Sequence, residues 1–323
     1  MLKGNYLITG AAGLMGSTAL SKLSNQAGVN IRAVDLKEPR ISADNISYFK
    51  ADLRDFNQCR EAVKDIDYVF MFAGILSTAP VIAKNPVSPV TSNLVINSQM
   101  LEAAYFAKVK KFLWLSSSTG YPLKEGILKE ENMFDNDPPD IYFPVGWMSR
   151  YTEILARMYA TKLKKSMPIV ILRPTNIYGE YEDFHFETCH VLPALIRKVV
   201  ERQRPIEVWG KGEEKRDLIY SDDVFDACLL ALEKIDLFDV FNIGSGKEYS
   251  INELLKMILE IDNFQNSDII YNTSKPSTIN KRSIDLTKIK QFLGFKAKTP
   301  IRQGISKMIR YYKENPIKQK QYE

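Results

Sequence analysis

At 323 residues, with 44 basic and 39 acidic side chains and a formal charge of +5, the chain can bury a substantial core in one or two domains. No run approaches roughly eighteen consecutive apolar residues and the chain opens on a strand pattern, so neither a membrane span nor a signal peptide is expected. The basic stretch from Lys313 to Lys320 reads as a solvated end, which predicts no nucleic-acid and no membrane partner. Cys59, Cys189 and Cys228 stand far apart in no metal or redox spacing, and His185 and His190 are the only histidines, so no metal site is expected. The expectation is a cytoplasmic globular protein.

The first apolar run, Tyr6-Leu7-Ile8, leads into the turn Thr9-Gly10-Ala11-Ala12-Gly13-Leu14-Met15-Gly16 and then a helical stretch, Ser17 to Leu23. Strand, glycine turn and helix in that order form a dinucleotide-binding fingerprint. Gly10 permits the tight turn, Gly13 lets backbone approach a pyrophosphate, and Gly16 lets the helix pack closely on the sheet. The helix N-terminus offers free N–H groups and partial positive charge to phosphates. The next strand, Asn30 to Asp35, ends on an acid about twenty residues later, where a carboxylate can bind both ribose hydroxyls and repels a 2′-phosphate. Asp35 therefore predicts NAD rather than NADP.

Further along come a strand Ile46–Lys50, a helix near Phe56 to Val63 and a strand Tyr68–Phe72 ending at Ala73-Gly74. A helix from about Pro89 to Ala107, a strand Lys111–Leu115, a helix from about Trp147 to Leu163 and a strand Ile169–Leu172 follow. Buried apolar strands separated by helices predict an α/β fold, a Rossmann-type doubly wound parallel sheet with ligands at the carboxyl ends of its strands. Ala73-Gly74, Ser116-Ser117-Ser118 and Arg173-Pro174-Thr175 occupy such ends. After Asn176 the pattern mixes short strands (Ile206–Trp209, Phe241–Gly244) with helices (Pro193–Glu201, Asp222–Leu232, Ile251–Ile261). This predicts a smaller mixed α/β C-terminal substrate lobe. The expected division is 1–175 plus 217–245 for the cofactor domain and 176–216 plus 246–323 for the lobe.

These motifs, with Ala51-Asp52-Leu53-Arg54-Asp55, Ser116 to Pro122, Arg173 to Gly179 and Arg216 to Asp223, resemble the extended short-chain dehydrogenases of the NAD-dependent nucleotide-sugar epimerase/dehydratase family. The similarity runs from Gly10 to about Asp285. Asn176 to Gly179, Asp183-Phe184-His185 and His190 to Leu195 are locally similar to the GDP-fucose synthases, which are GDP-4-keto-6-deoxymannose epimerase/reductases. In those enzymes the residue matching His190 is an acid/base, Thr119 falls where they carry a catalytic cysteine, and they reduce with NADP.

The resemblance implies that Gly10, Gly13, Leu14, Met15, Gly16, Asp35, Asp52, Leu53, Phe72, Ala73, Gly74, Ser116 and Pro174 line the NAD site, Asp52 and Leu53 at the adenine. Asn176, His190, Val191, Lys198, Val208, Trp209, Arg216 and Arg282 would hold the nucleotide-diphosphate sugar, GDP-linked by preference and UDP-linked as the alternative. For Arg216 the planar cationic fork independently suits a diphosphate. Relatives dimerise through helices near 93–107 and 147–163, so a homodimer or dimer of dimers is expected, with Leu94, Leu101, Ile154 and Tyr159 at the interface or in the core.

The family's chemistry needs a hydroxyl on the substrate oxygen, a tyrosine that moves the proton and a lysine four residues later that lowers the tyrosine pKa. Ser117 fills the first role, with Ser118 as the alternate. Relatives read Tyr-Gly-Trp-x-Lys-Arg-x-x-Glu where this chain reads Val145-Gly146-Trp147-Met148-Ser149-Arg150-Tyr151-Thr152-Glu153. Val145 thus stands at the tyrosine and Ser149 at the lysine. Three accounts remain open: a substitute acid/base (Tyr142, Tyr121 or His190), a binding or regulatory protein that turns over slowly, or a position altered from an active parent. The function implied is hydride transfer at C4 of a nucleotide-linked sugar; a 4-keto-sugar epimerase/reductase is the other enzymatic reading.

Overall fold

The computed structural model describes residues 2–75, 78, 81, 85, 87–274 and 282–317. Seven parallel strands form the main sheet: β1 (Gly4–Thr9), β2 (Val29–Asp35), β3 (Ile46–Lys50), β4 (Tyr68–Met71), β5 (Lys111–Leu115), β6 (Ile169–Pro174) and β7 (Phe238–Ile243). Their order across the sheet is β7-β6-β5-β4-β1-β2-β3. The reversal beside β1 is the switch point of a doubly wound sheet, where a ligand crevice opens.

Both faces are buried, which is why the inner strands read as continuous apolar runs. On one face Tyr6, Ile8, Phe70 and Leu172 pack under α1 (Leu14–Leu23) and α6 (Ser221–Lys234). On the other, Leu7, Val69, Phe112 and Ile171 pack under α2 (Phe56–Ala62), α3 (Val87–Ala107) and α4 (Phe143–Thr161). Helix α4 begins four residues before the predicted start, because Pro144 falls in its first turn, where a missing N–H costs nothing.

A second core belongs to the lobe, where α5 (Val191–Val200), α7 (Ile251–Ile261) and α9 (Ile301–Glu314) pack around Tyr178, Leu218 and Tyr220. The strand Lys215–Tyr220 pairs with Asn176–Tyr178 and Glu248–Ser250 rather than with the main sheet. Conversely, α8 (Thr287–Leu293) and its flanks Ile284 and Phe295 pack into the main-sheet core, although the expected division puts 246–323 in the lobe. Helix α9 is an element beyond those the sequence pattern predicts. Among the described residues no helix is long and apolar enough to cross a membrane.

Candidate active site

At the carboxyl end of β1 the backbone turns through Gly10 at φ +66°, where a side chain would be strained and a Cβ would lie 2.7 Å from the Phe72 carbonyl oxygen. A Cβ on Gly16 would run into the Gly10 carbonyl, so α1 packs against the turn only because Gly16 is bare. Gly13 is the N-cap and has no side chain to cap with, and the first turn of α1 carries no acid. The helix start, Leu14 to Gly16, therefore presents N–H groups and the positive end of a dipole towards the crevice. Met15 itself is buried.

Asp35 holds this turn. Its Oδ2 accepts from Ala12 N at 3.0 Å and its Oδ1 from Lys37 N at 3.0 Å. Beyond β3, Asp52 is ion-paired with Arg54, whose hydrogen bond lowers the carboxyl pKa, and Gln58 Oε1 accepts from Asp52 N at 2.7 Å. The Leu53 side chain is buried, leaving only its backbone to meet a ligand. After β4, Thr9 Oγ1 accepts from the backbone N–H of Phe72 and Ala73, each at 3.1 Å. Asn93 of α3 brackets Ile75 beyond Gly74, accepting from its N at 2.7 Å and donating to its O at 2.9 Å.

The serine turn after β5 is tied down through the hydroxyls of Ser116, Ser117 and Thr119. Ser116 Oγ donates to Glu153 Oε1 at 2.6 Å, and Ser117 Oγ accepts from both Thr119 N (3.1 Å) and Thr119 Oγ1 (2.8 Å). Tyr121 is fully buried; its OH donates to Asn242 Oδ1 at 2.6 Å and accepts from Arg173 at 2.7 Å. Burial pushes its pKa up to about 12, and it has no access to a substrate. Tyr121 is therefore removed from the three proton carriers that the sequence left open. Arg173 also forms a buried fork with Glu153, at 2.9 and 2.6 Å. This network joins β5, α4, β6 and β7; the sequence motifs contain its members but do not reveal their pairing. Pro174 ends β6 beside it.

Val145 and Ser149 lie one turn apart on α4, 4% and 3% exposed. Ser149 Oγ donates to the Val145 carbonyl at 3.0 Å, so the hydroxyl is satisfied by its own helix. Val145 has no proton to exchange, and Ser149 donates its own within the helix. Their neighbour Gly146 lies against the serine turn, where a Cβ would come 3.0 Å from the Thr119 carbonyl oxygen.

Tyr142, the residue before α4, meets the lobe's cations. The Arg282 guanidinium lies 5.6 Å from its ring centroid and donates to the Tyr121 carbonyl at 3.3 Å. Burial lowers the Arg282 pKa to about 10, opposed by Tyr142 and reinforced by the charge of Arg216. Its Nε is buried with no hydrogen-bond partner among the described residues. Burial likewise lowers the pKa of Arg216, whose guanidinium donates to the Lys215 carbonyl at 2.7 Å. Asn176 Nδ2 donates to the Asp217 carbonyl at 3.1 Å.

The other predicted sugar-nucleotide residues sit on the lobe. His190 is the exposed N-cap of α5. Val191 and Trp209 are 41% and 38% exposed, whereas the Val208 side chain is buried in the lobe core. Lys198 Nζ donates to the Glu207 carbonyl at 2.7 Å, and burial lowers its pKa. On the same segment as His190, Glu182 is a buried carboxyl whose Oε2 has no partner among the described residues. No pattern marks it, because its state depends on burial alone. Among the described residues no three His, Cys, Asp or Glu side chains converge as metal ligands.

Residues 6–244 match the family described as NAD dependent epimerase/dehydratase. GDP-L-fucose synthase 1 of Arabidopsis thaliana is 27% identical over 318 residues, covering 95% of this chain and 93% of that protein. The crystal structure of a UDP-glucose 4-epimerase from Thermotoga maritima with UDP-glucose superposes with a TM-score of 0.84 at 26% identity, covering 96% and 99% of the two chains. MoeE5, solved with UDP-glucose and NAD, gives the same TM-score, identity and coverage.

Proposed function

The chain belongs to the NAD dependent epimerase/dehydratase family, and we propose that it binds NAD beside a nucleotide-diphosphate sugar and moves hydride at C4 of that sugar. NAD, when bound, supplies the hydride acceptor. The residues present fit it: the uncapped start of α1 suits the pyrophosphate, and Asp35 would meet the adenosine ribose. Ser117 would hold the C4 oxygen. The carrying observation is the cationic pair beside Tyr142. Arg282 has an Nε with no hydrogen-bond partner among the described residues and is destabilised by both burial and Arg216, and a diphosphate relieves all three. The fucose synthase relative favours GDP, and the 4-epimerase structure supports UDP as the alternative.

Titrating GDP and UDP into the wild type and Arg282→Ala tests this reading. Loss of a charge-assisted contact should raise the dissociation constant about tenfold or more. An unchanged constant, or no binding of either nucleotide by the wild type, refutes it.

One observation favours a second reading. With Val145 and Ser149 buried and unable to titrate, the chain fits a slow or regulatory member that binds both ligands. We also propose a homodimer, acting in the cytoplasm. Phe143, Trp147, Tyr151 and Ile154 form an exposed apolar stripe on α4, 45%, 40%, 50% and 41% exposed. Of the other interface candidates, Leu101 is buried in the core, Leu94 is half-buried, and Tyr159 packs on Tyr105.

A further inference from the structure

The lobe meets the cofactor half through residues 179–189, the stretch between the strand Asn176–Tyr178 and α5. At its start Gly179 lies beside the first residue of α1, where a Cβ would come 3.2 Å from Leu14 Cδ1. The Tyr181 carbonyl then accepts from Arg40 at 3.0 Å, and the Thr188 carbonyl accepts from Thr78 Oγ1 at 3.0 Å. Arg40 follows β2 and Thr78 follows β4, and these two strands flank β1 in the sheet. The stretch therefore runs from a bond on the β2 side of the glycine turn to a bond on the β4 side. It is also braced from within. Asp183 accepts from His185 N at 3.0 Å and from Thr188 Oγ1, and the His185 carbonyl accepts from Thr188 N and Cys189 N at 3.0 and 2.8 Å. Phe184 packs on Tyr312 in the lobe core and Tyr181 meets Tyr311 edge-on, so both rest on α9. The stretch thus belongs to the lobe, and the Arg40 and Thr78 bonds join it to the cofactor half.

We infer that residues 179–189 form a strap over the glycine turn, clasped by Arg40 and Thr78, and that NAD enters and leaves while the clasps are open. This rests on the cofactor seat of the reading above. A strap differs from a cofactor contact in its kinetic effect. A side chain that touches the cofactor holds only the bound state, so its loss raises the dissociation constant through faster release. A clasp made both with and without cofactor keeps the open, binding-competent fraction small in each state. It slows association and dissociation alike and leaves their ratio nearly unchanged. Both clasps end on backbone carbonyls of the strap, so they act whatever side chains the strap carries.

The test uses NADH as the probe, its fluorescence followed by stopped flow, with excess NAD displacing it to give the dissociation rate. Arg40 is exposed, and Thr78→Val keeps the shape of a buried side chain, so both variants should fold. Arg40→Ala and Thr78→Val each remove one hydrogen bond. Each should raise the association and dissociation rates together by about two- to tenfold, with the dissociation constant changed by less than about twofold. The double variant should show roughly the product of the two effects, since the clasps lie at opposite ends of the strap. Rates that both variants leave unchanged overturn the inference while cofactor binding stands. So does a raised dissociation constant at an unchanged association rate, which would make the altered residue a contact of the cofactor itself. If the wild type binds neither NADH nor NAD, the cofactor reading fails and the strap falls with it.

Discussion

Glu182 and Asp35 are both carboxylates, and their surroundings give them opposite characters. Asp35 has a backbone N–H on each oxygen, so its charge is matched and its position fixed. Glu182 is 6% exposed with one oxygen unpartnered, and burial, with Asp183 adding repulsion, raises its pKa from 4.5 to about 8. A raised acid pKa means that the native state holds the proton more tightly than the unfolded chain. The associated stability is complete below about pH 4.5 and is lost as pH rises to about 8. The slope across that window is at most on the order of 1.4 kcal/mol per pH unit. Glu182→Gln keeps a neutral group of the same shape. Denaturant unfolding should find it close to the wild type near about pH 5 and more stable near about pH 8. Parallel stability curves for the two proteins would rule this out.

Among the elements, α9 shows how the lobe is closed. Ile301, Ile305, Met308, Ile309 and Tyr312 recur at helical spacing and are all buried. Gly304, between them, lies directly on Tyr178, and a Cβ there would run into the phenol. Replacing a helical glycine with alanine normally gains about 0.5–1 kcal/mol, whereas forcing a methyl into a packed contact costs about 1–3 kcal/mol. Tyr178 is 2% exposed and stacks edge-on with Tyr220, so it has little room to give way. Gly304→Ala should therefore lower stability despite its better helix propensity, read as a lower denaturation midpoint at unchanged m. A raised midpoint would mean that α9 slides freely. The α9 spacing is legible in the sequence, with apolar residues at helical intervals up to the basic tail. The three-residue strands Asn176–Tyr178 and Glu248–Ser250 are too short to show any period. By contrast, β4 and β6 were evident because both of their faces are buried, leaving uninterrupted apolar runs.

Across the whole molecule, the carboxyl end of the main sheet carries both the glycine turn after β1 and the serine turn after β5. The glycine turn is legible from spacing alone, since its geometry is local. The network from Ser116 through Glu153, Arg173 and Tyr121 to Asn242 is not, because its members come from four elements that only the fold brings together. That network keeps the serine turn against α4, so the scaffold around Val145 and Ser149 is preserved even though those two side chains cannot move a proton. Loss of one general base typically slows a reaction about 10²–10⁴-fold. Slow turnover is thus expected from the wild type where Ser117 and NAD remain placed. Val145→Tyr/Ser149→Lys puts a phenol and an ammonium one helical turn apart on the same face of α4, and the ammonium charge should lower the phenol pKa. With NAD and a panel of GDP-, UDP-, CDP- and dTDP-sugars, absorbance at about 340 nm should rise faster in the double variant than in the wild type, by about the factor lost. A wild-type signal that the variant does not exceed would mean that another residue, with Tyr142 and His190 the nearest candidates, already carries the proton. Silence from both proteins across the panel, with GDP or UDP still bound, would leave binding rather than turnover as the chain's role.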